Sequence, residues 1–231
     1  MQPQLEPRTA YTAAGTIALP QQRVLRNTYL LLALTMVPTV IGAMIGMATG
    51  GIIMQHPIIA SLVMIGAVIG LQFAIAANRD SGLGIALLLL MTLVLGWWLG
   101  PLLTVALQLS NGPQLVGFAA LGTGAIFFIM AGIATTTKRD YSFMGKFLFV
   151  GMIALLIAMV ANMFLQIPAL ALTISTLVIV VFSLFLLHDV SRIVNGGETN
   201  YVMATTGVYM SLFNIFANLL QLLMALTGQR D

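Results

Sequence analysis

Seven long apolar runs, nearly empty of charge, follow one another along this chain, at about residues 27–49, 57–77, 83–107, 114–135, 145–165, 168–188 and 202–226. A run of about 20 apolar residues suffices to cross a hydrocarbon core about 30 Å thick. Lipid offers the backbone no hydrogen-bond partner, so each run is expected to be a helix. Only 6% of the residues are charged, against about a quarter in a soluble domain. A water-facing surface could not be covered with so few. The sequence therefore predicts an all-α, polytopic membrane protein, a bundle of seven transmembrane helices. The last run carries Thr205, Thr206, Ser211, Asn214 and Asn218, which predicts a helix shielded from lipid inside the bundle.

The positions of the basic residues test this division. With the N-terminus in the cytoplasm, the inner segments carry Arg8, Arg23, Arg26, Arg79, Lys138, Arg139, Lys146 and Arg192, and the outer ones carry only Arg230. Such a bias is the signature of an inside N-terminus, and one missed span would scramble it. Basic residues confined to the gaps between apolar runs determine topology and do not form a face for nucleic acid. Residues 1–22 are polar, contain Pro3, Pro7 and Pro20, and read as a flexible cytoplasmic tail ahead of a membrane domain at 23–231. That tail is long for the first part of a signal peptide and no small-residue cleavage site closes the first run, so an uncleaved first helix is expected.

Small residues recur at a spacing of four: Gly42, Gly46 and Gly50, then Gly66 and Gly70, then Gly96 and Gly100. Such faces let helix backbones approach closely, and intramolecular packing is the expected use. The 15 methionines suit packing filler. Trp97 and Trp98 suit packing or an interfacial anchor. Gln72, Asn162, Thr173, Ser175, Thr176 and Asn214 are expected to make hydrogen bonds between helices.

Few residues could carry chemistry. The chain has no cysteine, which excludes disulfides, thiolate metal sites and a cysteine nucleophile. His56 and His188 fall on opposite expected sides of the membrane and cannot share a metal. No metalloprotease, phosphate-loop or serine-hydrolase motif is present, so neither catalytic residues nor a cofactor is expected. The sixth run ends in His188-Asp189-Val190-Ser191-Arg192. A carboxylate is costly within a bilayer, Arg192 could pair with Asp189 from three residues away, and His188 can titrate near neutral pH. This is either an ordinary charged helix end or a proton- or cation-sensitive gate at the inner mouth of the bundle. Asn78-Arg79-Asp80 reads as a polar turn that fixes topology, of further interest only if it faces Asp189.

Several stretches carry a resemblance. Arg23-Val24-Leu25-Arg26-Asn27-Thr28-Tyr29, Leu99-Gly100-Pro101, Thr137-Lys138-Arg139-Asp140-Tyr141-Ser142-Phe143, Asn195-Gly196-Gly197-Glu198-Thr199-Asn200-Tyr201 and Tyr209-Met210-Ser211-Leu212-Phe213-Asn214 resemble the Bax-inhibitor (TMBIM) family. The likeness runs from about residue 22 to 226 and is strongest to the bacterial YccA-like branch. It implies a seven-helix bundle with a semi-hydrophobic last helix, in the bacterial inner membrane. Members of that branch modulate the membrane-bound AAA protease FtsH. In calcium-leak members of the wider family, aspartates on helices six and seven form a pH-sensitive pair near an arginine after helix two. Asp189 matches the first aspartate and Arg79 roughly matches the arginine, but Ser211 stands where the second aspartate belongs. A single carboxylate cannot form the like-charge pair that raises one pKa, so the resemblance favours a modulator over a leak.

The expected function is thus that of a non-enzymatic regulator acting on FtsH and its associated membrane proteins, its tail able to reach a partner's soluble domain. The alternative is a pH-sensitive calcium or proton leak at Asp189, Arg79, His188, Arg192 and Ser211. A solute transporter is less expected, since the sequence lacks the duplicated halves and paired broken helices that mark many such folds.

Overall fold

The computed structural model describes residues 17–137 and 139–227, leaving aside the side chain of Ile52. Among them all regular structure is helical. Seven helices are long and apolar enough to cross a membrane: α1 (Leu19–Thr49), α3 (Pro57–Ala77), α4 (Gly82–Gln108), α5 (Gly112–Thr136), α6 (Gly145–Leu165), α7 (Pro168–Val194) and α8 (Tyr201–Thr227). A five-residue helix, α2 (Gly51–Gln55), follows α1, and a single tight turn at Ser142–Met144 leads into α6.

Most boundaries fall within two residues of the apolar runs, with two departures. α1 begins at Leu19, so residues 19–22 of the expected tail form its first turn. Pro20 sits at the start of the helix, where its missing N–H would have had no intrahelical partner and its fixed φ suits the helix. The rest of that tail, residues 1–16, lies outside the described residues, as do Lys138 and Arg230. α7 continues six residues past the apolar run, and its last turns carry the His188-to-Arg192 group.

α8 is the central post, packed against α1, α3, α4, α5 and α7. Its buried residues include Thr205, Thr206, Tyr209, Ser211 and Asn218, as the polar content of the last run predicts. Buried hydroxyls are satisfied by the preceding turn: Thr205 and Thr206 donate to the carbonyls of Tyr201 and Val202 at 2.7 and 2.8 Å. The other polar residues expected to link helices mostly do not. Thr173, Thr176 and Asn214 also donate to carbonyls four residues back in their own helices, Asn162 accepts from Ile167 N–H just past the end of its own, and Gln72 is exposed. Ser175 alone of that set bridges helices, donating to Gln221 Oε1 at 3.1 Å.

The closest helix pair is α1 with α4, running parallel. A Cβ on Gly42 would overlap the Leu93 carbonyl, one on Gly46 the Trp97 carbonyl, one on Gly96 the Thr39 carbonyl and one on Gly100 the backbone of Gly46. Backbone lies on backbone along the seam, and Trp97 Nε1 donates to Thr49 Oγ1 at 2.8 Å across it. Gly100 and Pro101 of the Leu99-Gly100-Pro101 stretch belong here, with the Pro101 ring against Gly50. Gly66 and Gly70 are different: nothing within 4 Å faces them. At mid-bundle, buried Tyr209 of α8 joins the pair, sharing a 2.8 Å hydrogen bond with Thr39 Oγ1.

Candidate functional site

At one end of the bundle lie the start of α1, the α3–α4 turn, the α5–α6 connection and the α7–α8 connection. Every described Lys and Arg is there: Arg23, Arg26, Arg79, Arg139, Lys146 and Arg192. His56 lies at the opposite end, between α2 and α3.

Within this basic end, His188 and Asp189 on α7 face inward. Their side chains are 10% and 17% exposed, and His188 Nδ1 lies 3.0 Å from Asp189 Oδ1. Two glycines make room for them. A Cβ on Gly207 of α8 would stand 2.7 Å from Asp189 Oδ2, and one on Gly145, at the start of α6, would stand 2.7 Å from His188 Nε2. The pair is thus wedged between α7, α8 and the first turn of α6, and Phe185 presents its ring edge-on to the imidazole. Asp189 lies eight residues beyond the middle of α7, about 12 Å along the axis, close to the edge of a hydrocarbon core about 15 Å in half-thickness. Ser211 is buried one turn beyond Gly207 on the same face of α8.

The arginines do not join this pair. The α7 helix does continue to Val194, yet Arg192 does not pair with Asp189. It turns outward to Glu198 Oε2 at 3.3 Å and donates to the Gly197 carbonyl at 3.1 Å. Arg79 is more than half exposed and pairs with its neighbour Asp80 at 3.6 Å. The Asn78-Arg79-Asp80 turn faces Asn200 instead of Asp189: Asn200 Nδ2 donates to Asp80 Oδ1 at 2.8 Å and to the Arg79 carbonyl at 3.1 Å.

The Gly196-Gly197-Glu198-Thr199-Asn200 motif is a double cap. Gly196 takes φ +78°, a conformation that favours glycine, and turns the chain so that Gly197 N–H and Glu198 N–H reach the Arg192 carbonyl at 2.8 and 3.1 Å. Asn200 Oδ1 then accepts from Val202 and Met203 N–H, capping the first turn of α8. Nearby, Ser191 Oγ accepts from Tyr141 N–H at 3.0 Å. Asp140, fully exposed, accepts from the Ser142 hydroxyl and from Ser142 N–H, the latter at 2.8 Å, and these two bonds, the hydroxyl's foremost, hold its carboxyl below the ordinary carboxylate range. Among the described residues no group of three His, Asp or Glu comes together to hold a metal.

Sequence reasoning missed Gly207 and Gly145, which carry no chemistry themselves. A readable signal for the first was the spacing Gly207, Ser211, Asn214, Asn218 and Gln221, a small-to-polar stripe on one face of α8. The stripe descends from Asp189 to the opposite half of the bundle. There a cavity of about 590 Å³ opens, floored by Asn214, Asn218 and Gln221 and bordered by Pro101, Asn162 and Ser175.

Comparison with known proteins agrees with this architecture. Residues 21–228 match the family model described as inhibitor of apoptosis-promoting Bax1. The chain is 38% identical over 208 residues, 90% of its length and 92% of the relative's, to the modulator of FtsH protease YccA of Escherichia coli K12. It is 37% identical over 210 residues, 89% of its length and 92% of the relative's, to an uncharacterized protein of Neisseria meningitidis. It is 36% identical over 199 residues, 86% and 87% of the two chains, to one of Pseudomonas aeruginosa. With seven spans and a family match along nearly its whole length, the chain belongs to the Bax1-inhibitor family of membrane proteins.

Proposed function

We propose that this protein is a non-enzymatic regulator of FtsH in the bacterial inner membrane, with its basic end in the cytoplasm. The observation that carries this reading is identity of 38%, sustained over 90% of the chain, to a protein named as a modulator of that protease. A further relative at the same identity is named an inner membrane protein. Clustering of the described cations at one end supports the orientation. The segment ahead of α1 is the part that presents the bundle to the protease. The test is pull-down of the tagged, full-length protein from native membranes, with the half-life of a membrane substrate of FtsH followed with and without it. Co-purification of FtsH together with a changed half-life is expected. No FtsH recovered and no change in half-life would overturn the proposal. Removing residues 2–16, which leaves α1 whole, should weaken the association.

A second reading is favoured by one observation, the inward-facing His188–Asp189 pair at the head of the polar stripe of α8. It is a cation or proton leak gated through Asp189. The measurement is calcium flux in proteoliposomes across pH 6–8, for the parent protein and Asp189→Asn. Flux absent from the parent, or unaltered in the variant, eliminates it.

A further inference from the structure

The cavity in the half of the bundle opposite the basic end is built for a ligand of definable chemistry. It lies between the last turns of α4 and α6 and the first turns of α7, with α8 as its floor, and reaches inward to Trp98 and Asn214. Among the described residues no charged side chain lines it. The apolar part of the wall includes Met54, Leu102, Val105, Met159, Met163 and Ile174.

Three amides of its polar part have fixed polarity. Asn214 Nδ2 donates to the Met210 carbonyl and Asn218 Nδ2 to the Asn214 carbonyl, each at 2.8 Å. A carbonyl can only accept, so these amides cannot be flipped, and their Oδ1 atoms are left as acceptors one turn apart. Asn162 is locked in the opposite sense. Its Oδ1 accepts from Ile167 N–H at 3.1 Å, which leaves its NH₂ group as a donor. Neither Oδ1 of the α8 pair nor Nδ2 of Asn162 has a hydrogen-bond partner among the described residues. The cavity therefore offers the two Asn acceptors on the α8 wall, beside the Gln221 amide that Ser175 engages, a donor on the α6 wall and an apolar remainder.

We propose that this cavity binds an uncharged amphiphile whose head carries both a donor and an acceptor, an amide or a hydroxyl, and whose hydrocarbon tail lies along the methionine-rich wall. A charged head would be desolvated without a counter-charge, a far larger cost than that of a neutral group finding partners. Size separates this ligand from a partner's transmembrane helix: the cavity's volume lies in the range of small-ligand sites.

Trp98 borders the cavity and supplies the readout. The full chain carrying Trp97→Phe, so that Trp98 is its sole tryptophan, is placed in nanodiscs and titrated with dibromostearoyl ethanolamide, dibromostearate and dibromostearylamine, at pH values where the last two are ionised. Saturable quenching is expected from the neutral ethanolamide at a concentration about tenfold below that needed by either charged analogue. Asn218→Leu should remove most of that preference and leave the affinity for the charged analogues unchanged. Equal affinity for the three heads, quenching that never saturates, or a preference undiminished in folded Asn218→Leu would each overturn the proposal. If Asn218→Leu fails to fold, the ranking of the three heads in the parent decides alone. A polypeptide photocrosslinked from Val105 in native membranes, together with absent lipid saturation, would assign the cavity to a protein segment and also overturn it. No arm of this test depends on FtsH.

Discussion

Replacing Gly96 by alanine should separate α1 from α4 and part Tyr209 from Thr39 at the same time, leaving its hydroxyl the Thr92 carbonyl of α4 at 3.4 Å. A Cβ at Gly96 would stand 2.9 Å from both the Cα and the carbonyl carbon of Thr39, and closer still to its carbonyl oxygen. Carbon atoms in contact prefer about 3.5–4.0 Å, and every atom struck is backbone, so α1 must withdraw by about 1 Å as a body. Overpacking of this kind costs about 1–3 kcal/mol. The same withdrawal stretches the Thr39–Tyr209 bond from 2.8 Å to beyond bonding range, at about 1 kcal/mol more. The expected total is about 2–4 kcal/mol, measured by reversible unfolding in bicelles. Tyr209→Phe alone should cost about 1 kcal/mol. Combined with Gly96→Ala it should add less than its own share, because the shorter of the two bonds it deletes is already broken. Gly66→Ala, which meets nothing within 4 Å, serves as the control and should stay within about 0.5 kcal/mol of the parent. A Gly96→Ala protein as stable as that control, or one fully additive with Tyr209→Phe, would refute the reasoning.

Further outcomes follow from the basic end. Gly207→Ala should push Asp189 away from α8 and cost about 1–3 kcal/mol; in the same unfolding assay, Gly207→Ala combined with Asp189→Ala should recover part of that loss. Asn200→Ala removes the cap of α8 and its tie to the α3–α4 turn, and should cost about 1–2 kcal/mol. Hydrogen exchange at Val202 and Met203 should quicken first. For Asp140 the folded pKa is lowered, so its contribution is present above the ordinary carboxylate value of 3.8 and is lost as pH falls through the depressed one. Ser142→Ala leaves the backbone bond but removes the side-chain one, and the titration of Asp140, followed by NMR, should move upward toward the ordinary value.

Much of the fold was readable because lipid imposes one rule on every span. An apolar stretch of sufficient length has no alternative to helix, and the placement of Arg79 and Arg192 between stretches marked their ends. The polar content of the last run likewise located α8 at the centre. Side-chain partners were less readable. Spacing suggested that Arg192 would reach Asp189, but the left-handed turn at Gly196 brings Glu198 back over Arg192 and captures it. Arg79 is similarly held at the surface beside Asp80, while Asn200 occupies the backbone and carboxylate on its inner side. The rooms for Asp189 and His188 are made by Gly207 and Gly145, and a glycine's value lies in what stands opposite it, which no single sequence states. Asn214 of α8 misled for a related reason. In a helix without water, an asparagine donates most readily to the carbonyl one turn behind it, leaving its oxygen, not its NH₂ group, for other company.

The parallel glycine seam between α1 and α4 has a mechanical consequence. A motor that pulls on the chain ahead of α1 draws that helix along its own axis. Its contacts with α4 are then loaded in shear, all together, and cannot be peeled apart one turn at a time. Because the interlocked surfaces are main chain, they cannot yield by turning a side chain. Extraction from this end must overcome the whole seam in one event, and resistance to it is a rate set by that event, not by the average stability of the bundle.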